Sequence, residues 1–235
     1  TGGAVHIGRA ISEAFSAAGA AVTILYHGSE DEAKDAAAQL SNTAIVHADL
    51  RDEQQVRKAF AQAVRYHGEV DILINNAGIF HVSLQEDLHR SDWDRVFEIT
   101  TRSIFLCTRE VLPSMKLRRS GTIVTIASIN ALQPGFGMTA HYDAAKAAAA
   151  GYTRSLAAEV GPYNIRVNAV APGLTDSVRL QRDAPDLVRM YQERAPLRRL
   201  VKGEDIASAV QFLCSPASSA ITGTILTVDC GYMLT

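Results

Sequence analysis

Short apolar runs alternate with helix-period stretches along almost the whole chain, and this alternation limits the fold more than any other feature. Residues 22–25, 44–48, 72–74, 122–126, 166–170 and 226–229 are compact runs rich in Val, Ile and Leu. They read as short strands covered on both faces. Helical stretches separate them, near 9–18, 30–39, 53–66, 91–117, 142–160 and 204–213. In 53–66, Val56, Phe60 and Val64 recur every four residues, one face of a helix. Repeated strand–helix–strand units give a parallel sheet with helices on both faces. The predicted class is therefore α/β, a doubly wound parallel sheet. No repeat, low-complexity segment or linker divides 1–235, so one domain is expected. Residues 174–200 are charged and interrupted by Pro185 and Pro196, and at most one short helix is predicted there.

Composition excludes several function classes. The net charge is −2 and no block of like charge stands out, which argues against nucleic acid or an anionic membrane as main partner. No apolar run is long enough to span a bilayer, and a cytoplasmic protein is expected. Cys107, Cys214 and Cys230 lie far apart without metal spacing, so they read as reduced packing residues and no metal site is expected.

Two local patterns carry chemistry. The chain opens Thr1-Gly2-Gly3-Ala4-Val5-His6-Ile7-Gly8 and runs straight into the helical positions Ile11, Ala14, Phe15 and Ala18. Glycines at a helix start let a phosphate reach backbone N–H groups at the positive end of the helix dipole. A dinucleotide-binding sheet needs a strand ahead of such a loop. One further short strand, about 5–10 residues, is expected before Thr1 in the native protein. A longer parent chain without an apolar β-rich segment there would refute this.

The second pattern is Tyr142-Asp143-Ala144-Ala145-Lys146, with Ser128 upstream. A Tyr and a Lys four apart on a helix share one face. A phenol titrates near 10, and a neighbouring ammonium pulls that value toward neutrality. A Ser hydroxyl nearby can hold a carbonyl oxygen while the phenol gives or takes its proton. This is the chemistry of carbonyl/alcohol interconversion, with a nicotinamide carrying the hydride. By itself the pattern more often describes a packed Tyr and a solvated Lys.

Together with Asn75-Asn76-Ala77-Gly78 after the 72–74 strand, Pro172-Gly173 after the 166–170 strand, and Val228-Asp229-Cys230-Gly231, these patterns resemble the short-chain dehydrogenase/reductase family over the whole chain. The resemblance implies a Rossmann-type sheet, a substrate lid over about 174–200, and a homotetramer. It implies that Tyr142 is the general acid in reduction and base in oxidation. Lys146 would lower its pKa and bind the nicotinamide ribose, and Ser128 would orient the substrate carbonyl. The implied cofactor contacts are Gly2, His6, Ile7 and Gly8 in the loop, then Tyr26, His27 and Ser29. Asp49 and Leu50 follow, then Asn76, Ala77 and Gly78, and finally Pro172, Gly173, Thr175 and Ser177 beside Tyr142 and Lys146. The competing role for Asp49 is a helix cap, for which Asp52 also competes.

Three departures from the family pattern stand out. His6 replaces a glycine, so either the loop shifts, or the imidazole contacts phosphate or substrate, or it points to solvent. Tyr26 stands where members that use NAD carry an Asp, and with His27 and Ser29 able to donate this favours NADP(H) over NAD(H). Thr100 replaces an Asn thought to hold a water of a proton relay to Lys146, which makes Thr100 a candidate catalytic residue. Asn130, Phe136, His141, Phe80, His81 and the lid from Thr175 are candidates for a small-molecule carbonyl or alcohol pocket. The expected function is an oxidoreductase, by default like 3-oxoacyl-acyl-carrier-protein reductase. A second reading stays open: a dinucleotide-binding sensor or scaffold with little catalysis.

Overall fold

A computed structural model describes residues 1–235. Six strands form: β1 (Val22–Tyr26), β2 (Thr43–His47), β3 (Ile72–Asn75), β4 (Gly121–Ile126), β5 (Ile165–Pro172) and β6 (Ile225–Val228). All neighbours are parallel, in the orders β1-β2 and β3-β4-β5-β6. β1 and β3 face each other across a cleft of about 320 Å³ lined by Ile24, Phe60 and Leu73 among others. At its C-terminal end the first two residues bridge the two parts: the Thr1 nitrogen donates to Ile74 O at 2.8 Å and Gly2 N to Leu25 O at 2.8 Å.

Helices α1 (His6–Ala17), α2 (Glu30–Gln39) and α9 (Gly203–Cys214) cover one face. Helices α3 (Glu53–His67), α5 (Ser103–Arg118) and α6 (Ala140–Val160) cover the other. The period-two geometry of a strand divides each run between the two cores. Ile123 and Val167 join α3, α5 and α6, whereas Val124, Ile126 and Val170 join α1 and α9. Helix ends follow local chemistry. Asp52 accepts from Gln54 N and Gln55 N at the start of α3, and Gly68 closes it with φ +81°. No helix is long and apolar enough to cross a membrane.

Two expectations need correction. The stretch 91–117 is not one uniform helix: α4 (Arg90–Phe97) and α5 are joined by a π-helical turn, Glu98–Arg102. Thr100, Thr101, Arg102 and Ser103 interrupt the apolar pattern between Ile99 and Ile104, where the π turn adds its extra residue. The 174–200 segment holds two helices rather than one, α7 (Val178–Asp183) and α8 (Pro185–Arg194). Pro185 opens α8 instead of interrupting it, as its fixed φ suits a first turn. Val188 and Tyr191, one turn apart, bury α8 against the core. The Tyr191 hydroxyl donates to Asp229 O at 2.7 Å, and its ring stacks on Tyr232 at 4.3 Å.

Candidate active site

The candidate residues stand at the C-terminal ends of the strands, where ligands of open parallel sheets bind. The glycine loop lies against the segment after β3. Thr1 Oγ1 accepts from Asn76 N at 3.1 Å and Ala77 N at 3.0 Å. Asn76 Nδ2 donates to the carbonyls of Thr1 and Gly2, both at 3.0 Å. Gly2 has φ +62°, and a Cβ on Gly8 would collide with the Gly2 carbonyl. Helix α1 starts without a side-chain cap and without an acid in its first turn, so its N–H groups and dipole are available to an anion.

His6 is exposed and keeps φ +50°. The backbone at His6 has the left-handed conformation that glycine adopts freely. For a residue with a Cβ this costs on the order of 1 kcal/mol. His6→Gly is accordingly expected to raise Tm by roughly 2–4 °C and to leave cofactor affinity within about twofold. Loss of affinity by tenfold or more in a cofactor titration would instead make the imidazole a ligand contact.

Half-buried Tyr26 ends β1, and exposed His27 and then Ser29, which precedes α2, follow it. No carboxylate occupies the tip of β1. His47, at the end of β2, stacks on His27 at 5.4 Å and meets its carbonyl through Nε2 at 3.1 Å. Asp49 does not cap α3; Asp52 does. Both Asp49 oxygens are taken by Arg51, with Nη2–Oδ2 at 2.6 Å, and these bonds hold its carboxyl at about 2. Leu50 beside it is buried.

Ser128 leaves β4 in extended conformation, and its Oγ accepts from Asn130 N at 3.1 Å. Tyr142 and Lys146 follow on α6. Lys146 is 5% exposed, and its Nζ donates to Ile126 O at 2.7 Å. Burial pushes the ammonium down to about 8. The same ammonium lies 5.8 Å from the centre of the Tyr142 ring. The expected lowering of the phenol by Lys146 is not found. Burial pushes Tyr142 up to about 12, and the opposing hydrogen bond comes from Ser128. At neutral pH the pair therefore holds a protonated phenol beside a charged amine.

Thr100 sits in the π-helical turn, 1% exposed, with Oγ1 free of any hydrogen-bond partner. Thr101 next to it anchors the turn by donating to Ala145 O at 3.1 Å, one residue before Lys146. A Cβ on Gly78 would lie 3.5 Å from Lys146 Nζ and 3.6 Å from Thr100 Oγ1. The absent side chain at Gly78 thus leaves both polar atoms open to the same point. The π turn gives Thr100 this position, in keeping with the frequent use of such turns at functional sites.

The remaining candidates line the rim. Buried Pro172 ends β5, and at Gly173 a Cβ would collide with the Tyr191 hydroxyl. Thr175 Oγ1 donates to Gly173 O at 3.3 Å, and Ser177 caps α7 by accepting from Leu180 N at 3.1 Å. Asp143, which the sequence did not single out, ties down the loop before α6. It accepts from Asn130 Nδ2 at 2.7 Å, Gly135 N at 3.0 Å and Thr139 Oγ1 at 3.1 Å. Phe80, Val82, Phe136 and Met138 are exposed around the opening. Phe80 meets the Tyr142 ring edge-on, with centroids 5.0 Å apart. Chemically, this sets a phenol, a hydroxyl and a buried cation at the same end of the sheet as an uncapped helix start.

The chain matches the family model described as enoyl-(acyl carrier protein) reductase over residues 2–233. It is 36% identical over 236 residues to the 3-oxoacyl-[acyl-carrier-protein] reductase FabG of Aquifex aeolicus, covering 98% of this chain and 94% of that protein. It is also 36% identical to the 7alpha-hydroxysteroid dehydrogenase of Escherichia coli K12, covering 98% and 91%. The crystal structure of gox2181 superposes with a TM-score of 0.94 at 33% identity, covering 100% of this chain and 94% of that one.

Proposed function

Because this chain belongs to the short-chain dehydrogenase/reductase family, and so is an oxidoreductase acting on CH–OH/C=O groups, we propose that it reduces a ketone on an apolar body, using NADPH. The observation that carries the reading is the convergence of Ser128, protonated Tyr142 and charged Lys146. Reduction needs the phenol in its protonated form, since the carbonyl oxygen must receive a proton, and at neutral pH Tyr142 is in that form.

The residues fit a dinucleotide. The uncapped start of α1 suits its pyrophosphate, the Gly78 opening admits a ribose beside Lys146, and the carboxylate-free tip of β1 tolerates a 2′-phosphate near His27 and Ser29. Gly2, Ile7, Gly8, Asn76, Ala77, Gly173 and Thr175 would complete the contacts. When bound, the nicotinamide supplies the hydride. Ser128 donates to the substrate carbonyl oxygen and polarises it. Tyr142 gives that oxygen its proton as negative charge develops. Lys146 holds its charge near the phenol and compensates the phenolate left behind. Thr100, with its unpartnered hydroxyl, returns protons toward Lys146.

A 3-oxoacyl thioester is the substrate proposed first, with the exposed Phe80, Val82, Phe136 and Met138 against its chain. By their names, the two curated relatives act on a 3-oxoacyl-[acyl-carrier-protein] and on a 7alpha-hydroxysteroid. Assembly as a homotetramer is proposed with this reading. Following NADPH and NADH absorbance across ketones of increasing chain length tests the reading. Turnover with NADPH that improves with chain length is expected. In the free enzyme, kcat/KM for NADPH is expected to fall above about pH 8, as the Lys146 ammonium loses its proton. Binding of NADPH with no oxidation by any ketone would favour a sensor instead.

A further inference from the structure

His141 is 1% exposed and immediately precedes Tyr142 on α6, and its Nε2 stands 3.0 Å from Nδ1 of half-buried His81. The rings meet edge to face, with centroids 5.1 Å apart. His81 follows Phe80, whose ring packs on that of Tyr142. Ser83 N donates to Met138 O at 2.9 Å, so the same loop is also tied to the segment ahead of α6. The neighbours of Tyr142 on either side thus anchor the two loops that flank it. Asp143 holds the loop through 130–139, and His141 holds the loop through 79–83.

Two imidazoles can share this bond only while one nitrogen donates and the other accepts. Both neutral rings satisfy that condition, and so does a pair carrying one extra proton. A second extra proton puts two N–H groups face to face and breaks the bond. Burial, aided by the positive charge His81 can carry, pushes His141 below the usual histidine range, while Asp143 on α6 and Asp92 on α4 act in the opposite sense. Tyr142 and Lys146 are the other titratable groups on this stretch of α6.

We propose that His81 and His141 form a positioning couple whose hydrogen bond holds Phe80 against the Tyr142 ring, aligning the phenol and closing the apolar side of the substrate site. The inference rests on the reading of Tyr142 as proton donor. Neither histidine touches the reacting atoms; both act through Phe80 and the start of α6. Acid that loads both rings opens the couple, and reduction then weakens through the ketone rather than through NADPH.

The test compares wild type, His81→Ala and His81→Gln. A glutamine amide can turn to donate or accept, so it bonds His141 in either protonation state. His81→Ala is expected to lower kcat/KM for the ketone about tenfold, the equivalent of one lost hydrogen bond, with KM for NADPH unchanged. The wild-type profile is expected to fall on the acid side, where both rings carry a proton, and His81→Gln to keep wild-type activity while losing that acid limb. Retention of the acid limb by His81→Gln, or an equal rise of KM for NADPH, would overturn the proposal. Imidazole NMR titration of the whole protein reads the couple with no substrate present. Two strongly separated titration steps, the lower one moving the Phe80 ring signals, are expected; two independent ordinary steps would overturn it. Two separated steps without ketone turnover would instead place the failure in the reading of Tyr142.

Discussion

Tyr142→Phe is expected to lower kcat for ketone reduction by about 10³-fold, within the 10²–10⁴ range of a lost general acid. The substitution removes one oxygen and keeps the ring. The edge-on contact with Phe80 and the ammonium at 5.8 Å from the ring centre therefore survive. Only the proton destined for the carbonyl oxygen and the bond to Ser128 are lost. NADPH affinity should stay within about threefold, because the glycine loop, Lys146 and Gly78 are untouched. Tm should move by no more than a few degrees, as one hydrogen bond contributes about 1 kcal/mol. Stopped-flow turnover together with a fluorescence titration of NADPH separates these quantities. Turnover within tenfold of wild type would show that the proton comes from elsewhere.

Gly8→Ala is expected to be the most damaging small substitution in the cofactor loop. Its new Cβ would run into the Gly2 carbonyl and stand 2.6 Å from Asn76 Nδ2. Neither partner can yield freely. Gly2 is bonded to Leu25 through its nitrogen, and Asn76 spans the Thr1 and Gly2 carbonyls. Helix α1 is equally fixed, since Ser12 Oγ donates to Gly3 O and Gly8 O, both at 3.0 Å. Overpacking of this kind costs about 1–3 kcal/mol, or roughly 3–10 °C in Tm for a chain of this size. Displacement of the loop should also weaken NADPH binding by at least tenfold. Gly151→Ala is the contrasting case: it lies in α6 with nothing near its Cβ, and should gain up to about 1 kcal/mol from helix propensity. Calorimetry of both variants checks the pair. A Gly8→Ala protein as stable as wild type would mean that the loop relaxes at little cost.

Much of the site was legible because its parts are local. Tyr142 and Lys146 announce a shared helical face by their spacing, and the glycine loop announces an anion site by preceding a helix. Other parts depend on geometry that spacing does not carry. Asp49 looked like an open acceptor, but its own near neighbour Arg51 saturates it, a choice that side-chain geometry makes and spacing does not. The lid looked irregular because two prolines fall in it; α8 forms because Tyr191 finds Asp229 and Tyr232 across the core. The π turn that buries Thr100 falls where the apolar pattern is interrupted between Ile99 and Ile104, a gap that by itself does not say which polar side chain turns inward.

The amino-acid sequence by itself determined the α/β class, the order of strands and helices, and the family to which the reacting groups belong. Each of these rests on periodicity or on residue types a few positions apart. Tertiary structure alone decided the protonation of those groups and their alignment. Tyr142 stays protonated because burial outweighs the opposing influence of Ser128, and burial is a sum over segments remote in sequence. His6 keeps a glycine's backbone because the surrounding loop dictates it. His81 meets His141 across 60 positions because the loop after β3 and the start of α6 come together at the same end of the sheet.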